Sequence, residues 1–538
     1  MPPTPKTPTT KAQALALAER GKALIKLGHY EAALASFDEA VALDRAFLDA
    51  NQMRGGVLFR LGRYEAALAS FDAVVALDPR FAHGWTSRGS ALMRMGRPQD
   101  ALESFRRAAQ LLPGNAHAYY DLGCALNELG QYEAAVASFD KAIALNPRHA
   151  PACNNKAVAL AALGHCDAAL ACHEAAIRLA PALADGHVNF GVTLQLLGRH
   201  AAATDRYEQA VAVAPDNARA HWNLALCSLL LGDFARGWRE FEWRWRYRGV
   251  PDDRLPQPRW TGTQSLQGKT IVLDAEQGLG DTLQFCRYAE PLAQLGASVI
   301  LRVPRPLVGL LATVPGAAGA IAEDEPLPAF DFRCPMMSAP LALKTTLETI
   351  PARIPYLHSD AAKCARWAQR IGDAGGLRVG LVWSGGFRAD QPDTWEVNRR
   401  RNVPLAKLAA LALPGVRFFS LQKGEEAVAQ LRELQATRGD PAIADFTAEL
   451  HDFSDTAALV DNLDLVVSVD TATAHLAGAL GKEVWLLNRF DTCWRWLLDR
   501  RDSPWYPGLR LFRQASPGDW DGVVAAVRAA LAERLARD

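Results

Sequence analysis

The sequence predicts an all-α superhelix followed by an α/β module made of two doubly wound halves. Three observations carry that prediction. Glycines recur every 34 residues, at Gly28, Gly62, Gly96, Gly130, Gly164, Gly198 and Gly232. The recurrence stops before half of the 538 residues are used. Beyond residue 268, short apolar runs alternate with helical patterns, the rhythm of parallel β-α-β units.

The repeat has content as well as spacing. Gly28-His29-Tyr30-Glu31-Ala32-Ala33 returns as Gly62-Arg63-Tyr64-Glu65-Ala66-Ala67 and as Gly130-Gln131-Tyr132-Glu133-Ala134-Ala135, with looser versions at the other turn glycines. Second helices place a small residue, an aromatic four later and another small residue three later, as in Ala33, Phe37, Ala40 and in Ala135, Phe139, Ala142. That spacing puts the three on one helical face. Proline closes the units at Pro79, Pro113, Pro147, Pro181 and Pro215, where it cannot continue a helix. First helices carry Gly21, Gly55, Gly89, Gly123 and Gly191, which allow close helix approach. The pattern resembles tetratricopeptide repeats, and predicts seven units over residues 14–247 behind a disordered start, 1–13.

Stacked units of this kind leave a concave face lined by first helices. The sixth position of each unit reads Glu19, Met53, Ser87, Asp121, Asn155, Asn189 and Asn223. Asn155, Asn189 and Asn223 offer amide donors and acceptors suited to an extended polypeptide backbone, and equally suit local helix packing. The seventh unit ends in an aromatic and basic run, Trp238 to Tyr247, which predicts a seam with a following domain rather than a base-stacking surface. A Pro- and Gly-rich linker, 248–268, follows.

Composition excludes several partners. Lys+Arg and Asp+Glu are each 59, so no net basic field draws the chain to nucleic acid or to an anionic membrane. No apolar run is long enough to span a bilayer, so no membrane insertion and a cytoplasmic location are expected. Nine scattered cysteines read as reduced thiols. His165, Cys166, Cys172 and His173 match no usual zinc spacing, and His173 stands where other units place Phe71, Phe105 or Phe139. No metal is expected.

In the second half, Thr270 to Ala275 reads as a strand, Gly278-Leu279-Gly280-Asp281 as a tight turn, Thr282 to Leu295 as a helix and Ala297 to Val303 as a second strand. Asp281 thus sits at the carboxyl end of a first strand, where open α/β sheets collect ligands. The pattern restarts with strands at 378–383, 416–421 and 463–468. Thr471 and Thr473 then open a helix whose free N–H groups and dipole suit a phosphate. The domains expected are 269–360, a connecting segment 361–376, and 377–538. No complete Gly-x-Gly-x-x-Gly occurs, which weighs against a nicotinamide enzyme.

Four segments, Glu276 to Phe285, Phe419 to Gly424, Ser468 to Leu480 and Trp494 to Tyr506, resemble bacterial heptosyltransferases (glycosyltransferase family 9), in the version fused behind tetratricopeptide repeats. The resemblance implies a GT-B fold of two Rossmann-like halves, acceptor side first and nucleotide-sugar side second. It implies inverting, metal-independent transfer with no cofactor beyond the nucleotide-sugar co-substrate. Proteins of this fused kind include protein glycosyltransferases, flagellin-modifying ones among them. On this basis Asp281 is the expected general base, although an aspartate there also suits a helix cap. Lys423, Arg401, Asp470, Thr471, Thr473 and His475 are the expected donor and phosphate residues; a solvated lysine and a core histidine are the plainer readings of Lys423 and His475. Trp494, Trp496, Trp505 and Tyr506 suit either ligand stacking or packing of an irregular loop. The expected function is transfer of a sugar to Ser or Thr of a polypeptide held by the repeats. A glycan or lipopolysaccharide acceptor, or a scaffold with a decayed transferase half, are the alternatives. The first Rossmann-like half is short, so some strands of the usual fold are expected to be missing.

Overall fold

The computed structural model describes residues 8–250, 255–373, 375–386, 395–438 and 443–537. The chain divides into two compact units, 1–217 and 218–538. The first unit is helical throughout. Six antiparallel pairs follow one another: α1 (Pro8–Lys26) with α2 (Tyr30–Leu43), α3 (Leu48–Arg60) with α4 (Tyr64–Leu77), α5 (Ala82–Arg94) with α6 (Pro98–Leu111), α7 (Ala116–Glu128) with α8 (Tyr132–Leu145), α9 (Ala150–Ala162) with α10 (Cys166–Leu179), and α11 (Ala184–Leu196) with α12 (His200–Val213). Helix begins at Pro8, so residues 8–13 are not the disordered start that composition suggested; residues 1–7 of that start lie outside the described residues.

Each turn glycine of the repeat has a positive φ, between 68° and 85°, a conformation that costs glycine nothing. The first-helix glycines serve a different end. A Cβ at Gly123 would lie 2.5 Å from Phe139, and the same holds at Gly55 against Phe71 and Gly191 against Tyr207. The aromatic of each second helix therefore fills the space left by a missing side chain opposite. The fifth unit exchanges both partners at once: Ala157 replaces the glycine and the smaller His173 replaces the aromatic. His173 is fully buried, bonds Thr193 Oγ1 at 2.9 Å and stacks on Phe190. Neighbouring units are tied by Arg54, which reaches back to Asp38 at 2.6 Å and across to Ser70 at 2.8 Å. Arg88 repeats this with Asp72 and Ser104.

The second unit starts inside the repeat array, with α13 (Ala218–Leu230), α14 (Phe234–Phe241) and α15 (Arg244–Arg248). The contact boundary thus falls at 217/218 and not at the expected linker after 247. The reason is the aromatic run: Trp238 packs edge-on against Phe285 and Trp494, and Phe241 is buried in the same core. Part of the expected linker is structure too, since Trp260 is buried and its N–H donates to the Arg333 carbonyl.

Four parallel strands follow, β1 (Thr270–Asp274), β2 (Ser298–Val303), β3 (Ala317–Ala322) and β4 (Phe332–Pro335), in the order β3-β2-β1-β4. The helix expected over 282–295 is broken into α16 (Leu279–Phe285) and α17 (Ala289–Gln294) by a tight turn. Pro291 supplies a reason, for it cannot donate to the preceding turn. Short α18 (Val308–Leu311) and α19 (Ala339–Ala342) complete this half, and α20 (Ala361–Ile371) occupies the expected connecting segment. The second sheet contains β5 (Leu377–Val382), β6 (Val416–Ser420), β7 (Ile443–Asp445), β8 (Leu465–Val469), β9 (Val484–Asn488) and β10 (Leu509–Arg513), all parallel, in the order β10-β9-β8-β5-β6-β7. Its helices are α21 (Trp395–Arg401), α22 (Leu405–Leu408), α23 (Glu425–Arg438), α24 (Phe453–Asp461), α25 (Ala472–Ala479) and α26 (Trp520–Leu535). The inner strands β1, β5, β8 and β9 are near-continuous apolar runs because both faces are covered, as parallel sheets require. Among the described residues no helix is long and apolar enough to cross a membrane.

Strand order creates a reversal in each sheet. In the first it lies between β1 and β4, in the second between β5 and β8. Loops leaving adjacent strands in opposite directions open a crevice at such points.

Two outcomes check this packing. Gly123→Val should cost about 1–3 kcal/mol in urea unfolding through overpacking against Phe139, and Phe139→Leu should recover part of that loss; an unchanged midpoint would contradict the slot. Residues 218–538 should melt cooperatively as a separate fragment, whereas 249–538, deprived of Trp238 and Phe241, should not.

Candidate functional site

Both reversals carry the residues singled out from sequence. After β1 the chain passes Glu276 and turns at Gly278 into α16, placing Asp281 in the first turn. Its Oδ2 accepts the Gly278 N–H at 2.9 Å; the N-cap is Gly278 itself, and Asp281, which also suited a cap, is the third helical residue and reaches back to it. Its Oδ1 is ion-paired with Arg495. The carboxylate remains 22% exposed. The turn is braced from behind: Glu276, 2% exposed, takes both Nε and Nη2 of Arg244 at 2.8 and 3.0 Å and the Met337 N–H at 3.0 Å. Arg244, on α15, also binds Glu242 and Ser338. A buried pair with every nitrogen and oxygen matched fixes geometry rather than adding much stability.

After β8, Asp470 and Thr471 lead into α25, with Thr471 in the cap position. Thr471 Oγ1 lies 3.0 Å from Ser468 Oγ, and the Thr471 carbonyl accepts the N–H groups of Ala474 and His475. The N–H groups of Ala472 and Thr473 precede the first such bond and point out of the helix start. His475 is buried within α25, with Nδ1 2.9 Å from the Tyr506 hydroxyl and Nε2 3.8 Å from Asp470 Oδ1. Burial pushes its pKa down to about 4, with Asp470 pulling partly the other way. Burial also works against the charge on Asp470, but His475, Arg401 and Arg495 hold its carboxyl below the ordinary range. At neutral pH the imidazole is uncharged, so the two guanidinium groups supply that effect.

The two turns meet. α16 packs on α25, and a Cβ on Gly280 would stand 3.1 Å from His475 Cδ2 and 3.3 Å from Ala472 Cα. Asp281 is therefore one residue from the contact with the start of α25. Arg401 arrives from α21, across the second reversal: its Nη1 donates to the Asp470 carbonyl at 2.9 Å. The loop after β5 yields to it, since a Cβ on Gly385 would collide with the Arg401 guanidinium. Gln422 fixes the same loop by accepting the N–H groups of Trp383 and Ser384 at 3.1 and 2.9 Å.

The structure thus gathers Asp281, Arg401, Asp470, Thr471, Thr473 and His475. Lys423 is not tied into this group: it lies past β6, exposed, and its ammonium donates to the Leu450 carbonyl. Trp494, Trp496, Trp505 and Tyr506 are buried, so packing is their role. Of the asparagines, Asn155 donates to Tyr120 and to Cys124 in the preceding unit, both at 3.3 Å, and Asn223 donates to its own helix at Arg219 O. Asn189 is half-buried on α11. Residues that sequence reading missed are Arg495, Arg244, Glu276 and Gln422. Arg495 was hidden in plain view between two tryptophans that drew attention for their rings.

A profile described as tetratricopeptide repeat matches residues 86–150 and 188–237, and one described as bacterial transcriptional activator domain matches 8–115. The amino-terminal unit is accordingly built of tetratricopeptide-like helical pairs. Protein FlbA of Caulobacter vibrioides is 30% identical over 325 residues, 55% of this chain and 52% of its own length. The chain thus spans about half of the curated relative it matches. Among solved structures, a tetratricopeptide repeat protein of Parabacteroides merdae covers 45% of this chain and 95% of its own, at 18% identity and TM-score 0.41. YrrB, described as a TPR protein with an unusual peptide-binding site, covers 34% and 95% at 25% identity and TM-score 0.29. MamA of Desulfovibrio magneticus covers 32% and 97% at 22% identity and TM-score 0.31.

The depressed pKa of His475 has a measurable sign. An unfolded histidine protonates near pH 6.5 while the buried one resists to about pH 4. The unfolded state therefore binds more protons in that window, and stability falls as pH drops from 6.5 towards 4. Urea unfolding of His475→Asn should show a shallower fall over that window than the parent; an equal slope would place the imidazole outside the buried site.

Proposed function

We propose that this chain is an inverting, metal-independent glycosyltransferase of GT-B type, moving a sugar from a nucleotide-sugar to a Ser or Thr hydroxyl of a polypeptide recruited by the repeats. One observation carries the reading: the reversal points of two parallel sheets face each other, one presenting a carboxylate and the other a helix start with an arginine beside it. Such crevices are where α/β sheets bind ligands, and a helix start with exposed N–H groups is suited to phosphate. On this reading the donor phosphates lie on the N–H groups of Ala472 and Thr473, the hydroxyls of Thr471 and Thr473, and Arg401. Asp470 and neutral His475 hold that helix start in place. The acceptor oxygen attacks the anomeric carbon as the bond from that carbon to the phosphate oxygen breaks. Its proton passes to the Asp281 carboxylate, and the negative charge leaves with the nucleotide.

The repeats supply the recruitment scaffold. Further support for delivery of a polypeptide comes from α13, the first helix of the seventh repeat, which packs against the turn Trp494–Trp496 that carries Arg495. A second reading is favoured by the local hydrogen bonds of Asn155 and Asn223, which leave the amide ladder less to offer a peptide. It keeps the transfer chemistry and makes the acceptor a glycan. Removal of residues 1–217 separates the two: transfer to a polypeptide should collapse, and transfer to a glycan should persist.

Asp281→Asn should lower the transfer rate by about 10²–10⁴-fold, the usual worth of a general base, while nucleotide-sugar binding is retained. Transfer at the parent rate would remove Asp281 from the chemistry.

A further inference from the structure

The carboxylate on which the proposed transfer depends is already engaged by a cation from the far end of the chain. Arg495 stands 214 positions beyond Asp281 in sequence, in the turn after β9. Its guanidinium is 11% exposed and lies 4.3 Å from the centroid of the Trp494 ring. Nη2 is on Asp281, Nε donates to Gln284 Oε1 at 2.7 Å, and Nη1 meets Cys493 Sγ at 3.2 Å. Two of these partners are strong acceptors. The third is a thiol, which accepts weakly, so Nη1 is the nitrogen with the least to lose by changing partner.

What stands beside this group decides the use of that nitrogen. The start of α25 touches α16 at Gly280, the residue before Asp281. An anion seated on the N–H groups of Ala472 and Thr473 would come close to the Asp281 carboxylate. Two anions side by side in a half-buried crevice repel strongly unless a cation stands between them. An arginine is suited to that task because it stays charged when buried and presents several donors in a rigid fork.

We propose that Arg495 is the shared counterion of the site: Nη2 stays on Asp281 while Nη1 exchanges the Cys493 sulfur for an oxygen of a diphosphate held at the start of α25. The inference rests on the reading of Thr471 to Thr473 as a phosphate site, and adds a side chain that joins the proton-accepting and donor-binding sides. No covalent bond changes; the thiol loses one weak hydrogen bond. Once a diphosphate takes part of the guanidinium's charge, Asp281 is left a stronger base, so proton removal is favoured only with the donor in place.

Calorimetric binding of inorganic pyrophosphate to the full chain tests this with Arg495→Gln, Asp281→Asn and the double variant. Arg495→Gln should weaken binding about tenfold or more, the worth of one charge-assisted hydrogen bond. Adding Asp281→Asn to it should restore most of the loss, because the carboxylate left without its counterion is what repels the anion. A packing role for Arg495 would not be rescued in this way. Arg495→Lys keeps the charge and loses the fork; it should lose less affinity, show a correspondingly smaller rescue by Asp281→Asn, and serve if the Gln variant does not fold. Parent-like binding by Arg495→Gln, or a double variant no tighter than Arg495→Gln, would overturn the proposal while leaving the phosphate site intact. Absence of pyrophosphate binding by the parent chain would remove the phosphate site itself, and this proposal with it.

Discussion

Because Gly280 has no side chain, α16 lies directly against α25, and the ends of two separate parallel sheets become one crevice. The rest of the site is arranged around that contact. Glu276 and Arg244 brace the first turn from behind, so that Asp281 projects towards the second sheet. His475 packs beneath the second turn and, bonded to Tyr506, holds the helix start against the aromatic loop. Arg287 joins the same loop to the first half, donating to the carbonyls of Trp505 and Pro351 and to the Tyr356 hydroxyl. A larger residue at 280 would part the two turns and leave each as an ordinary helix cap.

The seventh repeat belongs to this machinery as much as to the solenoid. Its second helix buries Trp238 against Phe285 and Trp494, and its short extension supplies Arg244. A repeat unit has been turned into a wall of the α/β module, which is why the compact boundary falls before it. In the first unit, by contrast, each glycine and aromatic pair is satisfied between the two helices of one repeat, and the exchange of both partners at Ala157 and His173 keeps the fit. Local pairing of this kind makes a repeat array tolerant of changes in individual units.

Much of the helical half was legible in the sequence, because a 34-residue period records the same local physics again and again. The strand segments named from apolar runs were placed to within a residue or two, whereas β3, β4, β7 and β10 were not picked out. Strand order was not, since the reversal between β5 and β8 depends on pairings between residues more than 80 positions apart, as in Val379 with Leu465. Consequently Thr471 and Asp281 could each be read as a strand-end residue, while their meeting could not. Arg401 was legible only as one of three arginines, and its bond to the Asp470 carbonyl singles it out. Arg495 and Glu276 went unread because nothing local marks a charge whose partner is distant. The aromatic residues after β9 suited stacking or packing equally in sequence, and burial decides for packing.

Sugar transfer in the crevice leaves a signature on whole proteins. The most direct measurement incubates the full chain with UDP-, GDP- and CMP-linked sugars and extract of its own host lacking the gene, then follows intact protein masses. With one donor class, a host protein should gain the mass of one or more glycosyl residues while free nucleotide is released. No mass gain and no nucleotide release with any donor class would contradict that transfer.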